Sequence, residues 1–174
     1  MGIYPSIGNQ MINARAETLL DKRAFNKLVA QRRCLIPADG FYEWRRHGDR
    51  KVPVWIHLKG KEPFAFAGLW DSWRNSGADT PLETFTIITT EPNALLRPIH
   101  NRMPVIFDTD TGKHWLKQSL ESADRLKAVL RPWPAELMEA QDVSNLVNSP
   151  DNDSPDCVKP LPADYAQPGQ LPLL

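Results

Sequence analysis

The sequence predicts an α+β domain, a mainly antiparallel β-sheet or barrel that carries a few surface helices. Segments rich in β-branched and aromatic residues follow one another between glycine, proline and polar turns, and they cover residues 34–46, 52–58, 64–73 and 84–90. No helical pattern lies between these segments, so neighbouring strands are expected to pair antiparallel. A hydrophobic content of 41% with six tryptophans suits a single packed domain of this length.

The N-terminal part of the chain begins irregularly and then becomes helical. Pro5 and Gly8 predict a loop over residues 1–10, and the mostly apolar residues 11–15 predict a short extended segment. Residues 21–32 predict an amphipathic helix, because the apolar positions 25, 28 and 29 share one face. Asp21 is the expected N-cap of this helix.

Turn residues separate the four strands. A turn over 47–50 joins the first strand to the strand at 52–58, where Pro53 predicts an edge position because proline cannot donate a ladder hydrogen bond. Gly60 marks the next turn, and the polar residues 75–81 predict the loop before the strand at 84–90.

The C-terminal half mixes short helices and strands. We expect a helical turn at 93–97, a strand at 103–107, surface helices at about 110–118 and 122–130, and a last strand at 137–143. Six prolines follow residue 149 and predict an irregular tail. The expected organisation is therefore one domain over residues 1–148 and a proline-rich tail over 149–174.

Composition bears on where the protein is located and on its possible partners. No apolar run approaches the ~20 residues that span a bilayer, and the chain does not open with a signal peptide. Two cysteines make no disulfide framework, so a reduced cytoplasmic setting is expected. The net charge is zero, but residues 1–61 hold 12 basic against 5 acidic residues. This asymmetry permits a nucleic-acid partner without requiring one.

Glu43 is the leading candidate for proton transfer. It follows the apolar stretch that begins at Cys34, and it stands between Tyr42 and Trp44. Desolvation in such surroundings raises the proton affinity of a carboxylate, which suits it to acid–base catalysis. The structural alternative is that Glu43 ends a hairpin and pairs with an arginine.

Two other polar groups are expected to accompany Glu43. His100 follows a proline and precedes an asparagine and Arg102, so it is a candidate proton shuttle, although it could equally bond a loop carbonyl. Arg15 and Arg102 are candidate phosphate ligands, because a guanidinium binds phosphate oxygens bidentately. Trp44 could stack on a base, but it could also belong to the core.

Several classes of site are not supported. The four histidines and two cysteines lack metal-binding spacing, and no glycine-rich phosphate loop is present, so we expect neither a metal nor a cofactor. Cys34 would be a nucleophile only if His100 or Glu43 reached it, and its apolar neighbours favour a buried core thiol.

Three motifs together resemble the SOS-response-associated peptidase (SRAP) family of abasic-site processing proteins. They are Met11–Thr18, Cys34–Trp44 and His100–Pro104, in the family's order, with Phe66–Trp70 and Ile87–Thr90 fitting between them. The resemblance implies an SRAP-like fold. It also implies single-stranded DNA with abasic sites as the partner, and hence a place on the nucleoid when the protein is bound to DNA.

The resemblance also implies roles for individual residues. In the family an N-terminal cysteine, exposed by removal of the initiator methionine, condenses with the sugar aldehyde and closes a thiazolidine. By position, Asn13 would orient the reacting groups, Glu43 would be the acid–base residue, and His100 would assist ring opening and reversal. The residues implied to contact DNA are Arg15, Trp44, Thr89 and Arg102.

The chain departs from the family at its start. Residue 2 is Gly2, where the family has its cysteine, and the pattern begins shortly before Asn13, so we expect an N-terminally truncated member. As written, the chain is expected to lack the thiazolidine chemistry. Noncovalent binding of single-stranded DNA, an inactive truncated member and a thiol or serine peptidase remain as alternatives; the last lacks a nucleophile constellation.

Overall fold

A computed structural model of the chain describes residues 11–74, 80–117 and 123–161. Two β-sheets pack face to face in a curled half-barrel, and short helices cover the other face of the larger sheet. The predicted N-terminal loop over 1–10, most of the polar loop over 75–81 and the end of the predicted tail lie outside the described residues. The α+β, mainly antiparallel fold predicted from the sequence is confirmed.

The larger sheet contains six strands, of which four form the continuous order β1-β6-β5-β2. Two-residue strands extend it, β7 beside β6 and β8 beside β5, and every pairing is antiparallel except that of β1 with β6. The bounds are β1 Asn13–Arg15, β2 Arg33–Ala38, β5 Phe64–Trp73, β6 Leu82–Thr90, β7 Met103–Pro104 and β8 Ile106–Phe107.

The smaller sheet has the order β3-β4-β9, with bounds β3 Phe41–His47, β4 Arg50–Leu58 and β9 Met138–Asp142. The single strand predicted over 34–46 is therefore two strands, β2 and β3, which belong to different sheets. Gly40 lies in the break, where an added Cβ would come 2.1 Å from the ring nitrogen of Trp55. The chain can turn between the sheets here because this residue has no side chain.

The predicted edge position of Pro53 is wrong, because β4 is the central strand of the smaller sheet. The paired register of β9 with β4 begins only at Val54, which faces Asp142. Pro53 contributes its carbonyl instead, which accepts the N–H of Val143 at 3.0 Å. A central strand tolerates this proline because its missing N–H falls just outside the β9 ladder.

Three short α-helices are present in the described residues, α1 Asn26–Gln31, α2 Thr109–Leu116 and α3 Ala123–Val129. The helix predicted from Asp21 is correct in its C-terminal half only. Residues 21–25 form successive turns, so α1 begins five residues later than its predicted cap, and no side chain caps it. Asp108 does cap α2, by accepting the N–H of Thr111 at 2.7 Å.

Each face of the larger sheet carries its own apolar core. One core lies between this sheet and the helices, where Leu69 and Ile88 pack with the fully buried Trp115. The other lies between the two sheets, where Val54 and Phe66 meet. No helix in the described part of the chain is long and apolar enough to cross a membrane.

The segment that follows β9 returns across the outer face of the smaller sheet. It forms short 3-10 helices at Asn145–Asn148 and Pro155–Val158. Gln141 donates its side-chain N–H to the carbonyl of Val158 at 2.8 Å, and Val143 bridges to Pro160. Residues 149–161 therefore pack on the sheet, while a domain boundary at 148 stays a prediction.

Candidate active site

Glu43 lies on the inner face of the smaller sheet. Successive side chains of β3 alternate between the faces, so Glu43 points with Phe41 toward the larger sheet, whereas Tyr42 and Trp44 point away. Only 22% of its side chain is exposed. Burial raises the pKa of Glu43, although nearby His100 and the backbone N–H of Trp44 partly oppose this shift. At a given pH, a larger fraction of this carboxyl is therefore protonated than of an ordinary glutamate.

His100 is delivered to Glu43 by a hydrogen-bonded turn. Asn93 starts this turn by accepting the N–H of Leu96 at 3.0 Å, and the N–H of His100 closes it on the carbonyl of Leu96 at 2.9 Å. Nδ1 of His100 then lies 3.3 Å from Oε1 of Glu43. The imidazole is 43% exposed, so the pair opens to solvent. The predicted proximity of Glu43 and His100 is therefore present in the structure.

Nδ1 of His100 has three competing partners. Besides Glu43, it lies 3.1 Å from the carbonyl oxygen of Arg102 and 3.3 Å from the N–H of the same residue. A protonated Nδ1 can donate to the carboxylate or the carbonyl, and an unprotonated one can accept the N–H. The ring therefore has a partner in either protonation state, as a group that passes protons requires.

Arg102 is held by a carboxylate that is distant in the sequence. Its guanidinium donates to both carboxylate oxygens of Glu17, at 2.9 and 2.8 Å, and to the carbonyl of Thr89 at 2.6 Å. Burial opposes ionisation of Glu17, but its hydrogen bonds and the positive charges of Arg102 and Arg15 outweigh this effect and lower its pKa. A phosphate would have to displace Glu17 to reach this face of the Arg102 guanidinium.

Asn13, Arg15 and Thr89 lie on one face of the larger sheet. β1 pairs in parallel with β6, with Asn13 opposite Ile87 and Arg15 opposite Thr89. Ala14, between them, points into the core beneath the helices, so Asn13 and Arg15 point to the other face of the sheet, where both are exposed. Within the described residues, Arg15 makes no ion pair or hydrogen bond through its side chain. Its guanidinium is therefore exposed, and its positive charge acts on Glu17 without a direct contact.

Contacts connect the two parts of the site. The loop that carries His100 is fixed to β6 by Arg102, and Pro104 pairs with Thr89 directly after this loop. Glu43 and His100 thus stand beside the strand that pairs with Arg15. Four separated stretches of sequence therefore meet at this end of the molecule, and they supply Asn13, Arg15, Glu43, Thr89, His100 and Arg102.

Trp44 lies on the other side of β3 from Glu43. Its indole N–H donates to the side-chain oxygen of Asn148 at 2.8 Å, and the residue is 37% exposed. β3 is an edge strand of its sheet as described. A DNA strand that touched both Trp44 and Glu43 would have to pass around this edge. Trp44 as a DNA contact therefore remains a prediction.

Cys34 does not join this group. In the register of the larger sheet Cys34 faces Gly68, which faces Ile87, which faces Asn13. Three strand spacings of about 4.8 Å place Cys34 roughly 14 Å from Asn13. Burial raises the pKa of the Cys34 thiol, so it is held in the unreactive form.

The structure adds Glu17 to the residues singled out from the sequence. Glu17 belongs to the first motif, but its partner Arg102 lies 85 residues away, and no local pattern predicts the pair. A cavity of about 430 Å³ lies on the far side of this ion pair, lined among others by Glu17, Lys127 and Arg131. It does not include Glu43 or His100. The described residues contain no cluster of side chains suited to hold a metal ion.

Comparison with known proteins identifies the family. Residues 3–150 match the family model described as SOS response associated peptidase (SRAP). The chain is 50% identical over 154 residues to the abasic site processing protein YoqW of Bacillus subtilis, covering 88% of this chain and 68% of that protein. It is 32% identical over 169 residues to the abasic site processing protein HMCES of Gallus gallus, covering 86% and 50%.

Solved structures agree with this result. A protein from Bacteroides thetaiotaomicron superposes with a TM-score of 0.83 at 33% identity, covering 90% of this chain and 68% of that one. A protein from Bordetella bronchiseptica superposes with a TM-score of 0.69 at 28% identity, covering 82% and 72%. The chain spans about two thirds of these bacterial proteins and about half of the vertebrate relative. With a matching family model and relatives at up to about half identity, the chain belongs to the SOS response associated peptidase (SRAP) family.

Proposed function

We propose that this protein acts on abasic sites in single-stranded DNA, and that Glu43 and His100 transfer protons while an amine condenses with the sugar aldehyde. The names of the curated relatives support abasic sites as the substrate. The observation that carries the chemistry is the 3.3 Å approach of His100 Nδ1 to the largely buried carboxyl of Glu43.

The proposed reaction needs an acid that is protonated near neutral pH. The amine lone pair attacks C1′ of the ring-opened sugar, the carbonyl oxygen takes up a proton and the nitrogen gives one up, which leaves a neutral carbinolamine. The hydroxyl then takes up a second proton and leaves as water, and the nitrogen loses its remaining proton to give the imine. Glu43 suits the role of donor because burial raises its pKa, and His100 can return the proton to it from solvent.

The larger sheet would bind the DNA backbone beside this pair. Arg15 is exposed and would contact a phosphate, and Asn13, on the same face, would orient the sugar or the amine. Thr89 lies between Arg15 and the loop of His100, where its hydroxyl would line the channel. Arg102 would contact a phosphate only by exchanging Glu17, and Trp44 would stack on a base that passes around the edge of β3.

A second candidate function is noncovalent binding of the same DNA. It is favoured by the position of Cys34, roughly 14 Å from Asn13, and by burial, which raises the pKa of its thiol. Without a thiol beside the amine, an imine could form and reverse, but it could not close to a stable thiazolidine. The first candidate therefore predicts a covalent adduct that borohydride traps, whereas the second predicts no covalent adduct with or without borohydride.

The test is to incubate the purified chain with single-stranded DNA that carries one abasic site, with and without borohydride. A denaturing gel then detects covalent adducts, and a native gel detects binding. We expect an adduct only with borohydride, which reduces an imine to a stable amine. The adduct should be strongly diminished in Glu43→Gln and normal in Glu83→Gln, an exposed carboxylate on β6 that removes the same charge.

Three results would change this assignment. Salt-sensitive binding in the native gel with no trapped adduct would favour the noncovalent function. An adduct that survives denaturation without borohydride would mean that a thiol takes part after all. An equal loss in Glu83→Gln would mean that charge, and not proton transfer, explains the effect of Glu43.

A further inference from the structure

Two aromatic side chains lie exposed on the face of the larger sheet that carries Asn13 and Arg15. Trp70 on β5 is opposite Phe85 on β6, so the two side chains are direct cross-strand neighbours on one face. Trp70 is 37% exposed and Phe85 is 57% exposed. Trp70 ends the segment Phe66–Trp70 that fits the family resemblance, but neither residue has been given a role so far.

This aromatic pair is continuous with the proposed DNA-binding row. Phe85, Ile87 and Thr89 alternate onto the same face of β6, and Thr89 is the register partner of Arg15. Four residues of strand separate Phe85 from Thr89, or about 14 Å. That distance corresponds to about four base steps of a stacked strand and to fewer steps of an extended one. Ile87, between them, is partly buried against the core between the sheets, so a strand bound at Arg15 would have to pass this residue to reach Phe85.

A cation already contacts the ring of Trp70. The guanidinium carbon of Arg32 lies over this ring, 4.9 Å from its centre, and the guanidinium also pairs with Asp71. The residue that precedes Trp70 on this face of β5 is Gly68, where Ile36 and the Cys34 sulfur pack closely, so the aromatic pair lies at the border of the core between the sheets. A surface that combines exposed aromatic rings with an arginine is the usual composition of a platform for unpaired bases.

We propose that Trp70 and Phe85 form a stacking platform for the intact bases that flank the abasic site. The proposal rests on the proposed function, since it takes single-stranded DNA as the partner. We favour DNA bases over a protein surface as the occupant, because the pair continues the row of Arg15 and Thr89 and because Arg32 lies over the Trp70 ring. The role of the platform is to hold the strand so that the lesion lies at Glu43.

The experiment measures binding of DNA that has no lesion, so it does not depend on the abasic-site chemistry. A fluorescent oligothymidine and an oligomer of equal length made only of tetrahydrofuran abasic analogues carry the same phosphates, but only the first has bases. Fluorescence anisotropy gives Kd for each oligomer with the wild-type chain and with Trp70→Ala, Phe85→Ala and Phe85→Leu. Leu82→Ala is the matched control, because Leu82 is 50% exposed on the opposite face of β6.

The expected result is a loss of affinity for oligothymidine alone. Each alanine variant should raise its Kd by about 5- to 160-fold, the equivalent of ~1–3 kcal/mol for each stacked base. Phe85→Leu should behave like Phe85→Ala, because leucine keeps apolar area but has no ring. A further variant, Phe85→Tyr, keeps the ring and should bind oligothymidine with the Kd of the wild type. The tetrahydrofuran oligomer should bind the wild type and these variants alike, and Leu82→Ala should change neither Kd.

Other results would overturn the platform. Equal Kd values for oligothymidine in the wild type and the alanine variants would exclude stacking, while leaving the abasic-site reaction to its own test. Failure of the wild type to bind oligothymidine would exclude it as well. Loss of a dimer on size-exclusion chromatography in Trp70→Ala, with unchanged DNA binding, would assign the patch to self-association. Thermal unfolding of each variant confirms that the exposed substitutions leave the fold intact.

Discussion

Replacing Glu43 by glutamine separates proton transfer from packing more sharply than any other substitution at this site. Glutamine keeps the length and volume of the side chain and can still bond to His100, but it cannot donate or accept a proton in the reaction. The inner-face position between the sheets and the 22% exposure of the carboxyl are retained. Binding of DNA should therefore stay unchanged while the rate of imine formation falls.

The size of the effect follows from the role of the group. Loss of a positioned general acid lowers a rate by about 10²- to 10⁴-fold, or ~2.7–5.4 kcal/mol in the activation free energy. The structure also fixes the sign of the pH dependence. Because burial raises the pKa of Glu43, the wild-type rate should fall as pH increases through that raised pKa. The slow rate of Glu43→Gln should not show this step.

The substitution Glu43→Gln should affect the free energy of unfolding differently from the reaction rate. Between the ordinary and the raised pKa of Glu43, the folded chain holds more protons than the unfolded chain, so the free energy of unfolding falls as pH rises through this window. Glutamine does not ionise, so the free energy of unfolding of Glu43→Gln does not fall in this pH window. Glu43→Gln should therefore equal the wild type at acidic pH and be at least as stable at pH 7–8.

The assay combines single-turnover borohydride trapping over a range of pH with urea unfolding at the same pH values, with Glu83→Gln as the charge-matched control. A Glu43→Gln variant that loses more than about 1 kcal/mol of stability at neutral pH would assign Glu43 a structural role. A rate equal to that of Glu83→Gln would show that no proton passes through this carboxyl.

Three further substitutions test other parts of the structure. Glu17→Gln should lower the free energy of unfolding by about 1 kcal/mol, because Arg102 loses a charged bidentate partner; tighter DNA binding than in Glu83→Gln would instead show that a phosphate competes for Arg102. Gly68→Ala should cost about 1–3 kcal/mol in urea unfolding, because its Cβ would lie 2.1 Å from Cδ1 of Ile36, and Ile36→Val should recover part of this loss. Asp108→Ala should cost about 1 kcal/mol at pH 7. Hydrogen bonds from Thr111 lower the pKa of Asp108, so the cap stabilises fully above the ordinary pKa of aspartate and is lost as pH falls through the lowered pKa. A difference in unfolding free energy between the wild type and Asp108→Ala that does not shrink as pH falls would contradict the cap.

Local patterns were sufficient to predict most strands. The β-branched and aromatic composition of 64–73 and 84–90 predicts strands whose observed bounds are Phe64–Trp73 and Leu82–Thr90. Such patterns succeed because a strand between two cores repeats its apolar residues over its whole length. The helix at 21–32 was predicted too long, because turns that begin at Thr18 use the backbone groups of its expected first turn.

The candidate site was predictable only in its parts. Glu43 and His100 stand out in the sequence because each is a titratable residue in an apolar or proline-bounded stretch, and the structure places them 3.3 Å apart. Their proximity is a property of the packing of two sheets, and 56 residues of chain lie between them. The bidentate pair of Arg102 with Glu17 depends on the same kind of long-range contact and has no local signature.

The sequence by itself predicted the family, most of the strands and the candidate residues for the chemistry, because these predictions depend on residue type and local spacing. The tertiary structure alone decided that residues 34–46 divide between two sheets, that Pro53 lies in a central strand, and that Trp44 faces away from Glu43. It also left Trp70 and Phe85 exposed beside one another. These features depend on strand pairing between distant segments, and the free energy of that pairing belongs to the whole fold and not to any one stretch of sequence.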